Sequence, residues 1–206
     1  MKIIAVISQK GGAGKTTIAL HLAVAAERDG KQTAVIDLDP QASATSWGDS
    51  RETEEPAIVS AQSSRLGQVL EAAKKGGADF VIIDTAPHSE SSALAAARAA
   101  DLILIPCRPA ILDLRAIGNT IDLAKMAGKP AAVVLNAVPP RGAIADDAAA
   151  AVAGYGVEIV PVSFGQRAAF QHSLTGGQTA QEYEPGGKAA EEALQLYKWA
   201  STQVKL

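Results

Sequence analysis

The chain has 206 residues, 48% of them apolar but only 4% aromatic, so one domain, or at most two, must build its core from Ala, Val, Ile and Leu. The formal net charge of -3 argues against a strongly basic nucleic-acid protein, although it leaves room for a local basic patch. One cysteine, Cys107, excludes an internal disulfide and argues against a thiol-ligated zinc site, which suits the reducing cytoplasm.

In chain order, Ile3 to Ile7 is a continuous apolar run, as expected of a central parallel strand. Residues 16 to 29 read as a helix that stops near Gly30, and Thr33 to Ile36 as the next strand. A polar stretch containing Pro56 leads to a short strand at Ala57 to Ser60 and a helix at Leu66 to Lys75, ended by Gly76 and Gly77. Phe80 to Ile83 is a strand, Ala93 to Ala100 an Ala-rich helix, and Leu102 to Ile105 a strand. Ile111 to Met126 reads as a helix, Ala131 to Leu135 as a strand, Asp146 to Ala153 as a helix and Val157 to Val160 as the last strand. Gly176 to Gly187 reads as a glycine-rich loop before a closing helix, Lys188 to Val204. Repeated strand-then-helix units imply crossovers. The expectation is α/β: a doubly wound, mostly parallel sheet flanked by helices, in a single domain over residues 1–206.

No run of about 18 uninterrupted apolar residues is present. The longest candidate, Ala93 to Ile105, is broken by Arg98 and Asp101. The apolar start before Lys10 is too short for a signal peptide and runs straight into a motif.

That motif is Lys10-Gly11-Gly12-Ala13-Gly14-Lys15-Thr16-Thr17, set between a predicted strand and a predicted helix. This is the context of a phosphate-binding loop. Glycines let backbone amides turn inward onto phosphate oxygens, and the helix start adds its positive end. Lys15 can reach the β- and γ-phosphates of ATP, and the Thr16 hydroxyl can ligate magnesium. The general pattern has a glycine where Gln9 stands, so the loop is a variant. Asp84 ends an apolar strand and faces the same crevice, where it can hold a magnesium-bound water. Asp37 and Asp39 lie two apart and point the same way on an extended chain. His21, His88 and His172 show no metal spacing, and His88 reads as an ordinary loop histidine.

The loop, with its extra leading lysine, resembles the deviant Walker A motif of the ParA/MinD ATPases. Asp37-Leu38-Asp39-Pro40-Gln41 and Phe80-Val81-Ile82-Ile83-Asp84-Thr85-Ala86-Pro87 resemble two further motifs of that family, in the same order and spacing. The resemblance extends over nearly the whole chain. It implies that Asp39 orients the attacking water and Asp37 supports the magnesium shell, unless one of the pair merely caps the next helix. It implies that Lys10 crosses to the other subunit of an ATP-sandwich homodimer, in the manner of an arginine finger. It implies that Asn136 contacts adenine and that the segment around Pro161 and Val162 closes the other side. Gly11 to Gly14, with Thr17, would complete the nucleotide cradle.

The segment Gln41 to Arg51, with Trp47, resembles small ParA proteins that lack an N-terminal DNA-reading domain. Such relatives imply a slow ATPase that binds duplex DNA of any sequence on the bacterial nucleoid. A cargo-bound, ParB-like adaptor stimulates it, and the cargo is a plasmid, a chromosome region or a protein cluster. Arg167, Lys188 and Lys198 are the cations expected to meet DNA phosphates. The alternative is a MinD-like protein on the membrane. The closing helix sets Lys188, Lys198 and Lys205 against Glu191 and Glu192 and reads as docked on the domain rather than lying in lipid. An iron-sulfur relative needs two cysteines per chain and is excluded. A pure nucleotide-gated scaffold is disfavoured by the presence of both Asp39 and Lys10.

Overall fold

Ile4, Ala5 and Val6 have no exposed surface, which requires a central strand covered on both faces. They lie in β1 (Lys2–Val6). The other strands are β2 (Thr33–Asp37), β3 (Ala57–Ser60), β4 (Phe80–Asp84), β5 (Leu102–Cys107), β6 (Ala131–Leu135) and β7 (Glu158–Ile159). The computed structural model describes residues 1–206 and joins these seven strands in one sheet, ordered β3-β2-β4-β1-β5-β6-β7. Every pairing is parallel, so each return is a crossover.

The helices are α1 (Lys15–Arg28), α2 (Ser43–Asp49), α3 (Leu66–Lys75), α4 (Glu90–Ala99), α5 (Ile111–Ala127), α6 (Ile144–Ala153), α7 (Ala168–Thr175), α8 (Ala180–Tyr183) and α9 (Lys188–Val204). They cover both faces of the sheet. Ile4, Val6, Val35, Phe80, Ile82 and Leu104 pack toward α1 and α9. Their immediate neighbours Ala5, Ile36, Val81, Ile83 and Ile103 pack toward α4 and α5. Period-two alternation is thus present inside runs that look uniformly apolar, because both faces are dry. Each fully buried aliphatic chain stabilises the fold by about 1.5–3 kcal/mol.

Three helices go beyond the expected elements. α2 is short and polar, and it forms because Ala44 and Trp47 bury their side chains. Trp47 donates its indole N–H to Gln178 O at 3.1 Å, and the Arg51 guanidinium lies 4.5 Å above its ring. Arg51 also pairs with Glu182 at 2.9 Å. The segment Gly176 to Gly187, read as a loop, contains α8, whose start is a capping box between Thr179 and Glu182. α7 buries Phe170 and Ser173. The last strand keeps only Glu158–Ile159 of the expected Val157 to Val160.

Candidate functional site

The strand order reverses around β1, with β2 and β4 on one side and β5 and β6 on the other. Loops at the carboxyl ends of these strands therefore diverge and leave a crevice. Register brings Val6, Asp37 and Asp84 level, so the loop after β1 and both carboxylates share one rim.

Gly12 and Gly14 have φ of 72° and 100°, a region costly for any residue with a Cβ. A Cβ on Gly14 would also overlap the Asn136 amide, whose Nδ2 donates to Ala13 O at 2.7 Å. Asn136, at the end of β6, therefore clamps the loop. The N-terminus of α1 has neither a side-chain cap nor an acidic residue in its first turn. Its first amides are free for an anion. Lys15 is buried, with Nζ donating to Lys10 O at 3.3 Å. Burial lowers its pKa, and the charges of Asp84 and Asp39 oppose that shift.

Asp84 is almost fully buried. Its Oδ2 accepts from the Thr16 hydroxyl at 2.6 Å, while Oδ1 is buried without a partner. Burial pushes its pKa up to about 7, and Asp37 and Asp39 add to the rise. A hydroxyl beside an orphaned carboxylate oxygen is a donor set suited to a hard divalent cation. No group of three or more His, Cys, Asp or Glu side chains surrounds a metal position. A cation here must take most of its ligands from phosphate and water.

The two β2 carboxylates differ in how they are used. Asp37 has no exposed surface, and both its oxygens are engaged. Oδ1 accepts from Asp39 N at 3.0 Å, and Oδ2 accepts from Thr45 N and Thr45 Oγ1 at 3.0 and 3.1 Å. These bonds secure α2, the helix-capping use that the sequence left open. Asp39 accepts only from Gln41 N, through Oδ1 at 2.9 Å. It lines both the loop's cavity of about 400 Å³ and an adjoining cavity of about 1050 Å³.

The smaller cavity gathers Gly11, Gly12, Gly14, Lys15, Thr16 and Thr17 with Asp39 and Asn136. It does not include Pro161 or Val162, the residues expected at its far end; Gly165, Gln166, Arg167 and Phe170 stand there instead. The chain stays on β6 through Val160, whose N donates to Val133 O at 2.9 Å, leaves it over residues 161–163 and returns at Phe164. There Phe164 N donates to Leu135 O at 2.9 Å and Val138 N to Phe164 O at 3.0 Å. Arg167 therefore lines this cavity, with Nε donating to Glu192 Oε1 at 2.9 Å. Glu192 also accepts from Gly165 N at 3.0 Å. Lys188 and Lys198 are exposed on α9, outside the cavity wall.

Arg108 was missed by the motifs. It follows β5 directly, lines the cavity and places Nη2 3.7 Å from where a Gly12 Cβ would sit. The available signal was a cation just past the carboxyl end of a central strand. Lys10 lies outside the cavity wall, with its ammonium 2.6 Å from Asp113 Oδ2. The His88 side chain is exposed, and its backbone N–H donates to Gln9 O at 3.2 Å.

His21 braces the site from behind. Nδ1 is 2.7 Å from Thr17 O, and Nε2 accepts from Ala180 N at 3.0 Å, which assigns the ring proton to Nδ1. Phe164 and Phe170 pack edge-on against the ring. Burial lowers its pKa to about 4. Between that value and the ordinary 6.5, the unfolded chain binds a proton that the folded chain refuses. The contribution of His21 to stability is therefore full above pH 6.5 and falls as pH drops toward 4, by about 2 kcal/mol between pH 7 and pH 5, while Asp84, with its raised pKa, contributes with the opposite sign over the same range. Thermal melts of wild type and His21→Gln across this range check it. The difference between the two curves should carry the His21 contribution, and parallel curves would remove it.

A family model described as the CobQ/CobB/MinD/ParA nucleotide binding domain matches residues 4–171. The maintenance of carboxysome distribution protein A of Gloeobacter kilaueensis is 37% identical over 142 residues. That match covers 68% of this chain and 65% of the relative, just under two thirds of its length. The protein of the same name from Halothiobacillus neapolitanus is 29% identical over 201 residues, covering 93% of this chain and 92% of that one. Among solved structures, MinD with Mg-ADP from Pyrococcus horikoshii superposes with a TM-score of 0.80 at 20% identity, covering 100% and 99% of the two chains. An ATP complex of Cyanothece McdA superposes at 0.78 with 18% identity, covering 100% and 97%. At these identities the superpositions establish the fold: an α/β P-loop architecture with an all-parallel sheet.

Proposed function

The chain belongs to the CobQ/CobB/MinD/ParA nucleotide-binding family, and we propose that it is a magnesium-dependent ATPase that pairs on binding ATP and uses nonspecific DNA binding to position a cargo. The observation that carries this reading is the division of labour among charged groups on one rim. Lys15 lines the phosphate cavity, Lys10 stands outside it, and Asp39 keeps one carboxylate oxygen free.

The glycine loop and the free amides of α1 hold the phosphates, and Lys15 offsets their charge. Thr16 and Asp84 would hold magnesium, which when bound neutralises charge building on the transferred phosphoryl group. Asp39 orients a water against the γ-phosphate. Asn136, Gln166 and Phe170 form the base end, with Arg167 beside them. Arg108 adds a cation to the phosphate end. Lys10, unused by its own cavity, serves the phosphates of a paired chain. With no strong general base beyond Asp39, the basal rate is slow, and a ParB-like adaptor on the cargo raises it.

Both carboxysome distribution relatives suggest a protein compartment as cargo, and a relative from Rhizobium radiobacter, named Protein ParA, leaves DNA as the other cargo class. Nucleoid DNA in the cytoplasm is the matrix. Lys188 and Lys198 are the exposed cations that remain for it, because Arg167 is committed to Glu192. A membrane role is disfavoured, since α9 buries Ala189, Ala193, Leu196, Tyr197 and Ala200 against the body of the chain. No helix is long and apolar enough to cross a membrane.

The test sets an electrophoretic DNA shift beside liposome pelleting, each with magnesium and a non-hydrolysable ATP analogue. Duplexes of unrelated sequence should shift equally with the analogue and much less with ADP, with affinity falling steeply as salt rises. A Lys188→Glu, Lys198→Glu double variant should weaken the shift on every sequence and leave ATP affinity alone. Pelleting with anionic lipid and no DNA shift would replace this reading with a membrane-associated one.

A further inference from the structure

The larger cavity beside Asp39, of about 1050 Å³, holds none of the phosphate loop. It opens at the carboxyl ends of β2, β3 and β4, and Asp39 and Pro87 form the wall it shares with the phosphate cavity. Its lining is polar, with five serines and two glutamines, and Arg65 and Asp39 are the only ionisable side chains on it. Two helix starts open there. Ser89 and Ser92 bring the start of α4, which has no side-chain cap, so its first amides are free for an acceptor. Glu90, the acid of that turn, is exposed and lies outside the cavity wall. Arg65 leads into α3, whose first turn holds no acid, and no carboxylate of the chain pairs with its guanidinium. Ser92 is 4% exposed, and its Oγ is buried without a hydrogen-bond partner. A buried hydroxyl on a cavity wall needs a partner from whatever fills the cavity. Asp39 adds an acceptor: Oδ1 takes the bond from Gln41 N, and Oδ2 has no partner.

We propose that this cavity is a binding site for hydrogen phosphate and receives the phosphate released beside Asp39. The first amides of α4, the Ser92 hydroxyl and Arg65 are donors, suited to the bare oxygens of an oxyanion. Asp39 is a charged acceptor. It repels an anion without a proton and accepts from one that carries a proton, directly or through one bridging water. Hydrogen phosphate keeps a proton at neutral pH and sulfate has none, so this wall selects phosphate over sulfate. Asn136, Gln166 and Phe170 line only the phosphate cavity, so the crossing at Asp39 and Pro87 lies away from the base end. That the phosphate is a hydrolysis product rests on the ATPase reading given above.

Calorimetry with inorganic phosphate is run on Lys15→Ala, whose phosphate loop is disabled, so that the heat reports this cavity. One equivalent should bind with a Kd of about 1 mM or tighter. Sulfate should bind at least about tenfold more weakly. Adding Arg65→Ala should weaken phosphate about tenfold and adding Ser92→Ala about threefold, neither lowering the melting temperature. Adding Asp39→Asn should let sulfate bind as tightly as phosphate, because the amide donates where the carboxylate only accepts. No saturable phosphate binding, equal binding of the two ions while Asp39 is intact, or Arg65→Ala without effect overturns the proposal and leaves the functional reading in place. In wild type, phosphate added to a steady-state ATPase assay should slow turnover where the same concentration of sulfate does not, and Arg65→Ala should remove that difference. Phosphate that binds as expected and leaves turnover unaltered would make the ligand phosphate from solution and overturn the product role. A wild type that hydrolyses no ATP overturns the functional reading, while the titrations of Lys15→Ala still decide the site.

Discussion

A Lys15→Ala chain is expected to lose at least about 100-fold in ATP affinity, since charge-assisted bonds to two phosphates are lost together. The same substitution should leave the nucleotide-free protein as stable as before, or more so. Lys15 is buried, its pKa is lowered by that burial, and its single protein bond is a 3.3 Å contact to Lys10 O. A desolvated cation with one weak partner costs folding free energy rather than supplying it. Calorimetry and thermal melts separate the two effects. ATP at 100 times its Kd stabilises wild type by about 2.7 kcal/mol, or roughly 5–10 °C in a chain of this size. After a 100-fold loss the same ATP concentration supplies about 0.4 kcal/mol, so the melt should barely move. An ATP-induced shift of wild-type size in Lys15→Ala would remove the phosphate-loop assignment.

The residues that bind phosphate were legible because their chemistry is local. A glycine loop needs particular residues at fixed spacing between a strand and a helix, and Lys10 to Thr17 supply them in eight consecutive positions. The sheet was legible for a related reason. Strands buried on both faces leave uninterrupted Val and Ile runs, and β7, at the edge with two residues, was overdrawn most. What stayed hidden depends on contacts distant in sequence. Arg108 and Asp113 join the site because β5 pairs with β1, a register no local pattern encodes. Arg167, expected to meet DNA phosphates, is bonded to Glu192 on α9 at the cavity wall, a pairing 25 residues apart that no local pattern encodes. Pro161 and Val162 lie in the short excursion between Val160 and Phe164, outside the cavity wall, a path set by bonds from Val160 to Val133 O and from Phe164 to Leu135 O. α8 was a different case. Its Thr179 and Glu182 capping box was written in the sequence, and the surrounding glycines outweighed it.

Asp37 and Asp39, two residues apart and of one type, should fail in opposite ways. Asp39→Ala is expected to bind ATP within about threefold of wild type while turnover falls by about 100-fold or more, the usual weight of a positioned base. Its only hydrogen bond as acceptor is the 2.9 Å bond from Gln41 N at the cavity rim, so the fold loses little. ATP then persists in the site, and dimers accumulate instead of turning over. Asp39→Asn sharpens the test: it can keep the Gln41 bond and lacks the charge, so it should match Asp39→Ala in turnover. Asp37→Ala should instead lose stability, by about 2–4 kcal/mol, because the amides of Asp39 and Thr45 and the Thr45 hydroxyl all lose a buried acceptor. Steady-state ATPase assays, light scattering with ATP and chemical denaturation on the three variants read these outcomes directly. Turnover of Asp39→Ala within tenfold of wild type would take the water-orienting role away from Asp39. An unaltered denaturation midpoint in Asp37→Ala would show that its contacts to α2 carry no weight.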